Sequence, residues 1–135
     1  MEATIDDIAK VVKYIDSLIN NKDMVVLLKG DIASGKTTLV QEYLKIKNSK
    51  AVAVSPTFCL QNIYDGCIYH YDIYNKNLEQ FISMGLFDEF ENSGVHFVEW
   101  ADDKLIKLTK EYGFDVINIE ITKKENKRIY KICID

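Results

Sequence analysis

The residues Gly30-Asp31-Ile32-Ala33-Ser34-Gly35-Lys36-Thr37 fit the pattern G-x-x-x-x-G-K-[ST], and they follow a short apolar run and precede a helical pattern. That context gives the pattern its chemistry. Successive backbone N–H groups wrap a phosphate, glycines let the backbone approach it, and the N-terminus of the next helix adds partial positive charge at the anion. In this reading Lys36 reaches the β- and γ-phosphates, the Thr37 hydroxyl ligands Mg²⁺, and Thr38 offers the phosphates a further hydroxyl. A guanine-specific protein would carry Asn-Lys-x-Asp. Neither Asn75-Lys76-Asn77-Leu78 nor Asn21-Lys22-Asp23-Met24 ends in the acid, so the expected nucleotide is ATP.

A phosphate loop needs an acidic partner for Mg²⁺ or its waters, usually at the carboxyl end of a neighbouring strand. Glu99, which ends the apolar run Val95-His96-Phe97-Val98, fills that place. Asp72 and Thr57 complete the candidates. On a hairpin folded over the loop, Asp72 would orient the attacking water, and Thr57 would sense the γ-phosphate as a switch-type ligand. His70 in the same stretch reads more readily as a satisfied structural histidine than as a direct participant. Trp100 fits a stacking surface as well as it fits a core. The basic tail Lys123, Lys124, Lys127, Arg128 and Lys131, interrupted by Glu125, reads as a solvated turn before it reads as a nucleotide or RNA contact.

The elements that must position these groups follow from periodicity. Ile5, Ile8, Val12, Ile15 and Ile19 predict a helix over 4–21 with Thr4 as its N-cap and Asp6 and Asp7 in its first turn. Met24-Val25-Val26-Leu27-Leu28 predicts a strand buried on both faces, and residues 51–54 and 95–98 predict two more strands of one central sheet. Asp65-Gly66 predicts a hairpin between residues 58–64 and 67–74. A two-residue turn there pairs Tyr64 with Cys67, Gln61 with His70, Cys59 with Asp72 and Thr57 with Tyr74. Thr57, Gln61, His70 and Asp72 then share a polar face, opposite Phe58, Leu60, Tyr64, Tyr69, Tyr71 and Ile73.

Residues 78–90 predict a helix broken near Gly85, and 101–112 predict another with Leu105, Ile106 and Leu108 turned inward. Alternation over 116–121 and 129–134 predicts a terminal hairpin about a loop at 122–128. The expected fold is α/β and P-loop NTPase-like: a central, mainly parallel mixed sheet with flanking helices and antiparallel hairpins.

Composition bounds the alternatives. The 135 residues are 47% hydrophobic and 28% charged, with one proline and six glycines, which predicts a single folded domain over 1–135 and excludes a collagen-like or disordered chain. A net charge of -4 argues against gripping a phosphate backbone by charge alone, so any nucleic-acid role is indirect. The start lacks a basic stretch leading into an apolar core, and no apolar run nears the roughly 18 residues that span a bilayer; the expectation is a soluble cytoplasmic protein with no membrane association. Cys59, Cys67 and Cys133 have neither disulfide nor zinc spacing and are expected as buried thiols. Arg128 is the sole arginine, which disfavours a metabolite kinase with an arginine-rich lid.

Four blocks, Gly30-Asp31-Ile32-Ala33-Ser34-Gly35-Lys36-Thr37-Thr38-Leu39, Ser55-Pro56-Thr57-Phe58, His70-Tyr71-Asp72-Ile73-Tyr74 and Val98-Glu99-Trp100, together resemble the bacterial TsaE family of tRNA threonylcarbamoyladenosine biosynthesis. The resemblance implies Mg²⁺-dependent ATP binding and hydrolysis in support of a TsaB–TsaD pair, which transfers a threonylcarbamoyl group to the adenosine beside the anticodon of tRNA. It places phosphate and metal roles on Ser34 to Thr38 and on Glu99, and the family's essential aspartate on Asp72. It also matches Thr4 to a threonine that holds the nucleotide, and Lys127 and Arg128 to residues closing the pocket.

Three departures stand out, one of them that Arg128 is the only arginine donor within the chain. Ala33 replaces the family's usual glycine, which would strain a positive φ, and Asn75 replaces an arginine. These absences imply a slow intrinsic ATPase that depends on its partners. A small-molecule phosphotransferase and a nucleotide-binding scaffold without hydrolysis remain the alternatives.

Overall fold

The run Met24–Lys29, apolar as far as Leu28 and β-branched at Val25 and Val26, forms a strand, β2, whose residues are buried as far as Leu28, because it lies in mid-sheet with helices on both faces. The computed structural model describes residues 2–4, 7–30, 33–54, 60–124 and 127–134, with side chains for all of these except 2–4, 33–36, 124 and 127. The other strands are β1 (Glu2–Thr4), β3 (Gln61–Tyr64), β4 (Ile68–Asp72), β5 (Val95–Glu99), β6 (Val116–Lys124) and β7 (Lys127–Ile134). They form one sheet in the order β1-β7-β6-β2-β5-β4-β3. The central strands β6, β2, β5 and β4 are mutually parallel, and β1, β7 and β3 are antiparallel additions. This is the expected mixed α/β sheet.

Alternation along β2 splits the core. Val26 and Leu28 join Phe97, Ile117 and Ile119 beneath helices α1 (Ile8–Ile19) and α2 (Ala33–Ile46). Val25 and Leu27 join Tyr71, Val98, Phe81, Phe90, Leu105 and Ile106 on the opposite face, beneath α3 (Leu78–Ser83) and α4 (Asp103–Glu111). The break expected near Gly85 is present: α3 stops, Gly85 takes φ 78°, and a 3₁₀ turn follows at Asp88–Glu91. Leu105 and Ile106 are fully inward, whereas Leu108 is only partly covered. No helix among the described residues is long and apolar enough to cross a membrane.

Several expectations need correction. Thr4 does not cap α1: Glu2–Thr4 is a strand paired with β7, Thr4 opposite Lys127, and the helix begins at Ile8 after Asp7, whose side chain makes no cap bond. Pairing with β7 holds Glu2–Thr4 extended and away from the helix start, so Thr4 is not placed to cap it. Residues 51–54 form no strand; Val52 and Val54 are exposed, and side chains hold the segment, Gln41 accepting the Ala53 N–H at 2.7 Å. The terminal hairpin is longer than predicted because Lys123 and Arg128 still pair across it. Cys67 and Cys133 are exposed free thiols, contrary to expectation, and Cys59 lies outside the described residues.

The hairpin at Asp65-Gly66 forms, with φ 55° and 73° and a Cys67 N–H to Tyr64 carbonyl bond of 3.2 Å, but its register is one residue off the prediction. Tyr64 pairs with Ile68, Asn62 with His70 and Gln61 with Tyr71. The cause is tertiary. The Cys67 carbonyl accepts the Val95 N–H of β5 at 3.0 Å, so Cys67 bulges out of the β3–β4 ladder. A one-residue slip exchanges faces on one strand, which puts Tyr64, not Gln61, on the side of His70. The predicted pairings of Cys59 and Thr57 lie outside the described residues.

Gly94 packs against this bulge at φ 135°, where an added Cβ would sit 2.1 Å from the Cys67 carbonyl oxygen. Gly94→Ala therefore costs at least about 2 kcal/mol in urea unfolding, backbone strain plus clash. Gly66→Ala, with open space at φ 73°, costs about 1–2 kcal/mol from strain alone. Equal losses would contradict this packing account.

A second prediction concerns His96, which is buried between aromatic rings, with Tyr69 stacked at 4.2 Å. Its Nε2–H donates to the Asn92 carbonyl at 2.8 Å, and Nδ1 accepts the Tyr71 hydroxyl at 2.6 Å, so the neutral ring uses both nitrogens. Burial lowers its pKa below the ordinary 6.5, against the opposing effects of the Asn92 carbonyl, Asp23 and Glu89. The folded form thus binds this proton less readily than the unfolded chain. The stability contributed by neutral His96 is present above the ordinary value and is lost as the pH falls below it towards the depressed one. His96→Gln should lose less stability than wild type between about pH 7.5 and 5.5; parallel stability curves would sink the idea.

Candidate phosphate and metal site

Chain direction alone gathers the predicted groups, because all the parallel strands present their carboxyl ends on one side. At the end of β2, Gly30 takes φ 139°, and a Cβ there would lie 2.4 Å from the Ile121 carbonyl oxygen of β6; only glycine lets the chain turn this close to its neighbour. Helix α2 then starts at Ala33, which places Gly35, Lys36 and Thr37 in its first turns, where backbone N–H groups lack intrahelical acceptors. Ala33 is a right-handed helical position, so its departure from the family's glycine carries no left-handed strain. Asp31 and Thr57 lie outside the described residues, as do the side chains of Ser34 and Lys36.

Glu99 ends β5 at 1% exposure, in register with Leu28 of β2 and Asp72 of β4. In-register neighbours in a parallel sheet share a face, and here that face carries α1 and α2. The Thr37 Oγ1 donates to Glu99 Oε2 at 3.0 Å, and His70 Nε2 contacts the same oxygen. Behind it, His70 Nδ1 lies 3.2 Å from the Tyr64 hydroxyl. That hydroxyl accepts the Val54 N–H at 3.1 Å and lies 3.2 Å from the Val54 carbonyl oxygen.

Asp72, half-buried beside Glu99, accepts the Tyr74 N–H at 3.0 Å and closes the turn leaving β4. Beyond the strand ends the ladder continues, with Ile73 N–H on the Glu99 carbonyl at 3.3 Å and Ala101 N–H on Leu28 at 3.0 Å. Leu60, Asn75 and Trp100 take φ of 60°, 60° and 68° around this rim. Strained residues of this kind gather where function over-determines a backbone. Asparagine tolerates that conformation better than most residues, which suits the Asn75 departure. Trp100 leans on Tyr74 with ring centroids 4.7 Å apart and packs against the α3–α4 core, as the core reading expects.

Lys29 turns to the other face, where it pairs with Asp103 at 2.8 Å; that hydrogen bond raises its pKa. Thr4 pairs with Lys127, and Ala3 with Arg128, at the carboxyl end of β6, near the strand that Gly30 abuts. The Arg128 Nη1 is buried with no hydrogen-bond partner among the described residues, and the guanidinium opposes the rise in pKa that burial gives the Tyr130 hydroxyl. Half-buried Thr38 follows Thr37 on α2. A groove of about 400 Å³ lined by Tyr43, Cys67 and Gly94 lies at the opposite, amino end of the strands and shares none of these groups.

The arrangement fits a magnesium ion. No cluster of three or more metal-ligating His, Cys, Asp or Glu exists among the described residues, but Mg²⁺ usually takes only one or two protein ligands beside phosphates and waters. Adjacent ligands of an octahedral Mg²⁺ at 2.0–2.1 Å stand about 2.9 Å apart, close to the 3.0 Å between Thr37 Oγ1 and Glu99 Oε2. The residues that sequence reasoning undervalued are His70 and Tyr64. Alternation from Asp72 already put His70 on the face of the site, but the register error moved Tyr64 away from it.

A strand leading through a glycine turn into a helix, with an acid closing the adjacent parallel strand, defines a P-loop NTPase-like α/β fold. The crystal structure of Bacillus subtilis YdiB superposes on it with a TM-score of 0.64, covering 100% of this chain and 86% of that one at 23% identity. The family model "Threonylcarbamoyl adenosine biosynthesis protein TsaE" matches residues 3–130. Proteins named tRNA threonylcarbamoyladenosine biosynthesis protein TsaE are similar throughout. That of Rickettsia felis is 32% identical, covering 94% of this chain and 74% of its own length, and that of Aquifex aeolicus is 34% identical, covering 94% and 89%. The Haemophilus influenzae protein is 30% identical over 87% of this chain and 81% of its own. The chain belongs to the TsaE family, whose work is the biosynthesis of threonylcarbamoyladenosine in tRNA.

Proposed function

We propose that the protein binds and hydrolyses Mg²⁺–ATP in the cytoplasm to drive a TsaB–TsaD pair through its modification cycle, meeting tRNA only indirectly. The observation that carries this reading is the 3.0 Å approach of the Thr37 hydroxyl to the buried Glu99 carboxylate, at the junction of a helix N-terminus and a strand end. Two oxygens with this spacing serve a cation better than they serve stability, since an acid buried beside a histidine repays its desolvation poorly.

The first turns of α2 hold the phosphates through backbone N–H groups, joined by Lys36, Ser34, Gly35 and Thr38. Thr37 and Glu99 hold the magnesium ion, which when bound neutralises charge on the phosphate oxygens. Asp72, one strand from Glu99 and on the same face, orients the attacking water, while Thr57 contacts the γ-phosphate. Gly30, Asp31 and Ala33 shape the loop; Thr4, Lys127 and Arg128 close the nucleotide's far side. Partner binding that differs between the ATP and ADP forms would convert hydrolysis into a reset of the complex.

Phosphate release from Mg²⁺–ATP tests the proposal, measured for wild type, Lys36→Ala and Asp72→Ala with and without the TsaB–TsaD pair. Release should rise with the pair and fall by about 10²-fold or more in both variants. Bound ATP without release would favour the scaffold, and a phosphorylated small molecule would favour the phosphotransferase; either contradicts the proposal.

A further inference from the structure

Glu99 is gripped from two directions. Thr37 approaches from α2, and from the sheet side a chain of side chains runs Glu99 Oε2, His70 Nε2, His70 Nδ1, Tyr64 hydroxyl, Val54 backbone. His70 is completely buried and Tyr64 nearly so, at 0% and 8% exposure. No solvent competes for the histidine's two nitrogens, and its ring cannot turn without breaking a bond at each end. Tyr64 is fixed in turn, because Val54 N–H donates to its hydroxyl, and Asn62 Nδ2 donates to the Val54 carbonyl at 3.1 Å.

We propose that His70 is a positioning residue for the metal site: it fixes the Glu99 carboxylate that faces Thr37, and Tyr64 extends that control to the backbone of Val54. Any buried histidine satisfies both nitrogens, as His96 does; what sets His70 apart is that one of its nitrogens lies on a carboxylate that faces a helix N-terminus. Groups that orient a metal ligand through a hydrogen bond contribute to metal affinity without touching the metal. Tyr64, separated from Glu99 by an entire imidazole, should therefore also affect metal binding. The inference rests on the proposed Mg²⁺–ATP site and adds the group that sets the pose of its acid.

Trp100 offers a readout independent of turnover, since it is the sole tryptophan and directly follows Glu99. Its fluorescence is titrated with Mg²⁺ in the presence of saturating ATP, and ATP binding is measured separately without metal. His70→Ala should weaken Mg²⁺ about tenfold or more while metal-free ATP affinity stays within about twofold. His70→Gln, which restores a donor near Nε2, should recover most of the loss, and Tyr64→Phe should weaken Mg²⁺ by about threefold or more.

In the metal-free protein, amide exchange at Val54 should accelerate about tenfold in Tyr64→Phe, whatever the fate of the metal reading. If His70→Ala fails to fold, His70→Gln and Tyr64→Phe carry the test. Wild-type Mg²⁺ affinity in a folded His70→Ala or Tyr64→Phe would overturn the positioning role alone. No Mg²⁺ response in wild type, with Val54 exchange still dependent on Tyr64, would instead remove the metal-site reading and its positioning residue together.

Discussion

A carboxylate held out of water at the end of a parallel strand is the constraint on which this molecule turns. Glu99 is as buried as the core valines around it, and an acid so placed is costly unless donors converge on it. Two do: the Thr37 hydroxyl from the start of α2, and the His70 ring from β4. Each comes from a different element. The acid therefore marks the point where helix, central strand and hairpin must all arrive in register, and losing the helix or the hairpin removes one of its two donors.

The rest of the architecture delivers those three elements. Alternation along β2, β5 and β6 gives two apolar faces and hence two layers of helices, which locks the parallel centre of the sheet in place. Gly30 lets the chain leave β2 against β6, and the same close approach directs α2 back across the sheet with its N-terminus above Glu99. At the other end, Gly94 and the Cys67 bulge fix β4 to β5, so that Asp72 comes level with Glu99. Stability and site geometry thus share residues.

Much of this was legible from residue order. The runs beginning at Met24 and Val95 read as strands because two-sided burial leaves short, nearly continuous apolar runs, broken only by His96, and the phosphate loop between strand and helix is a motif with fixed neighbours. Other features were not legible, for physical reasons. Strand β1 is three residues long and gains its identity only from pairing with β7, so its threonine looked like a helix cap. The hairpin register turned on one hydrogen bond, from Val95 to the Cys67 carbonyl, that no local signal encodes. The part played by His70 followed from that register, since only a shift of one residue brings Tyr64 to its side.

The most direct test of the central claim is a crystal structure with Mg²⁺ and a non-hydrolysable ATP analogue. The account predicts the phosphates at the first turn of α2, with the metal about 2.0–2.1 Å from Thr37 Oγ1 and Glu99 bound to it directly or through one water. A nucleotide seated elsewhere, in the groove beside Tyr43 for example, or a metal with no link to Glu99, would contradict it.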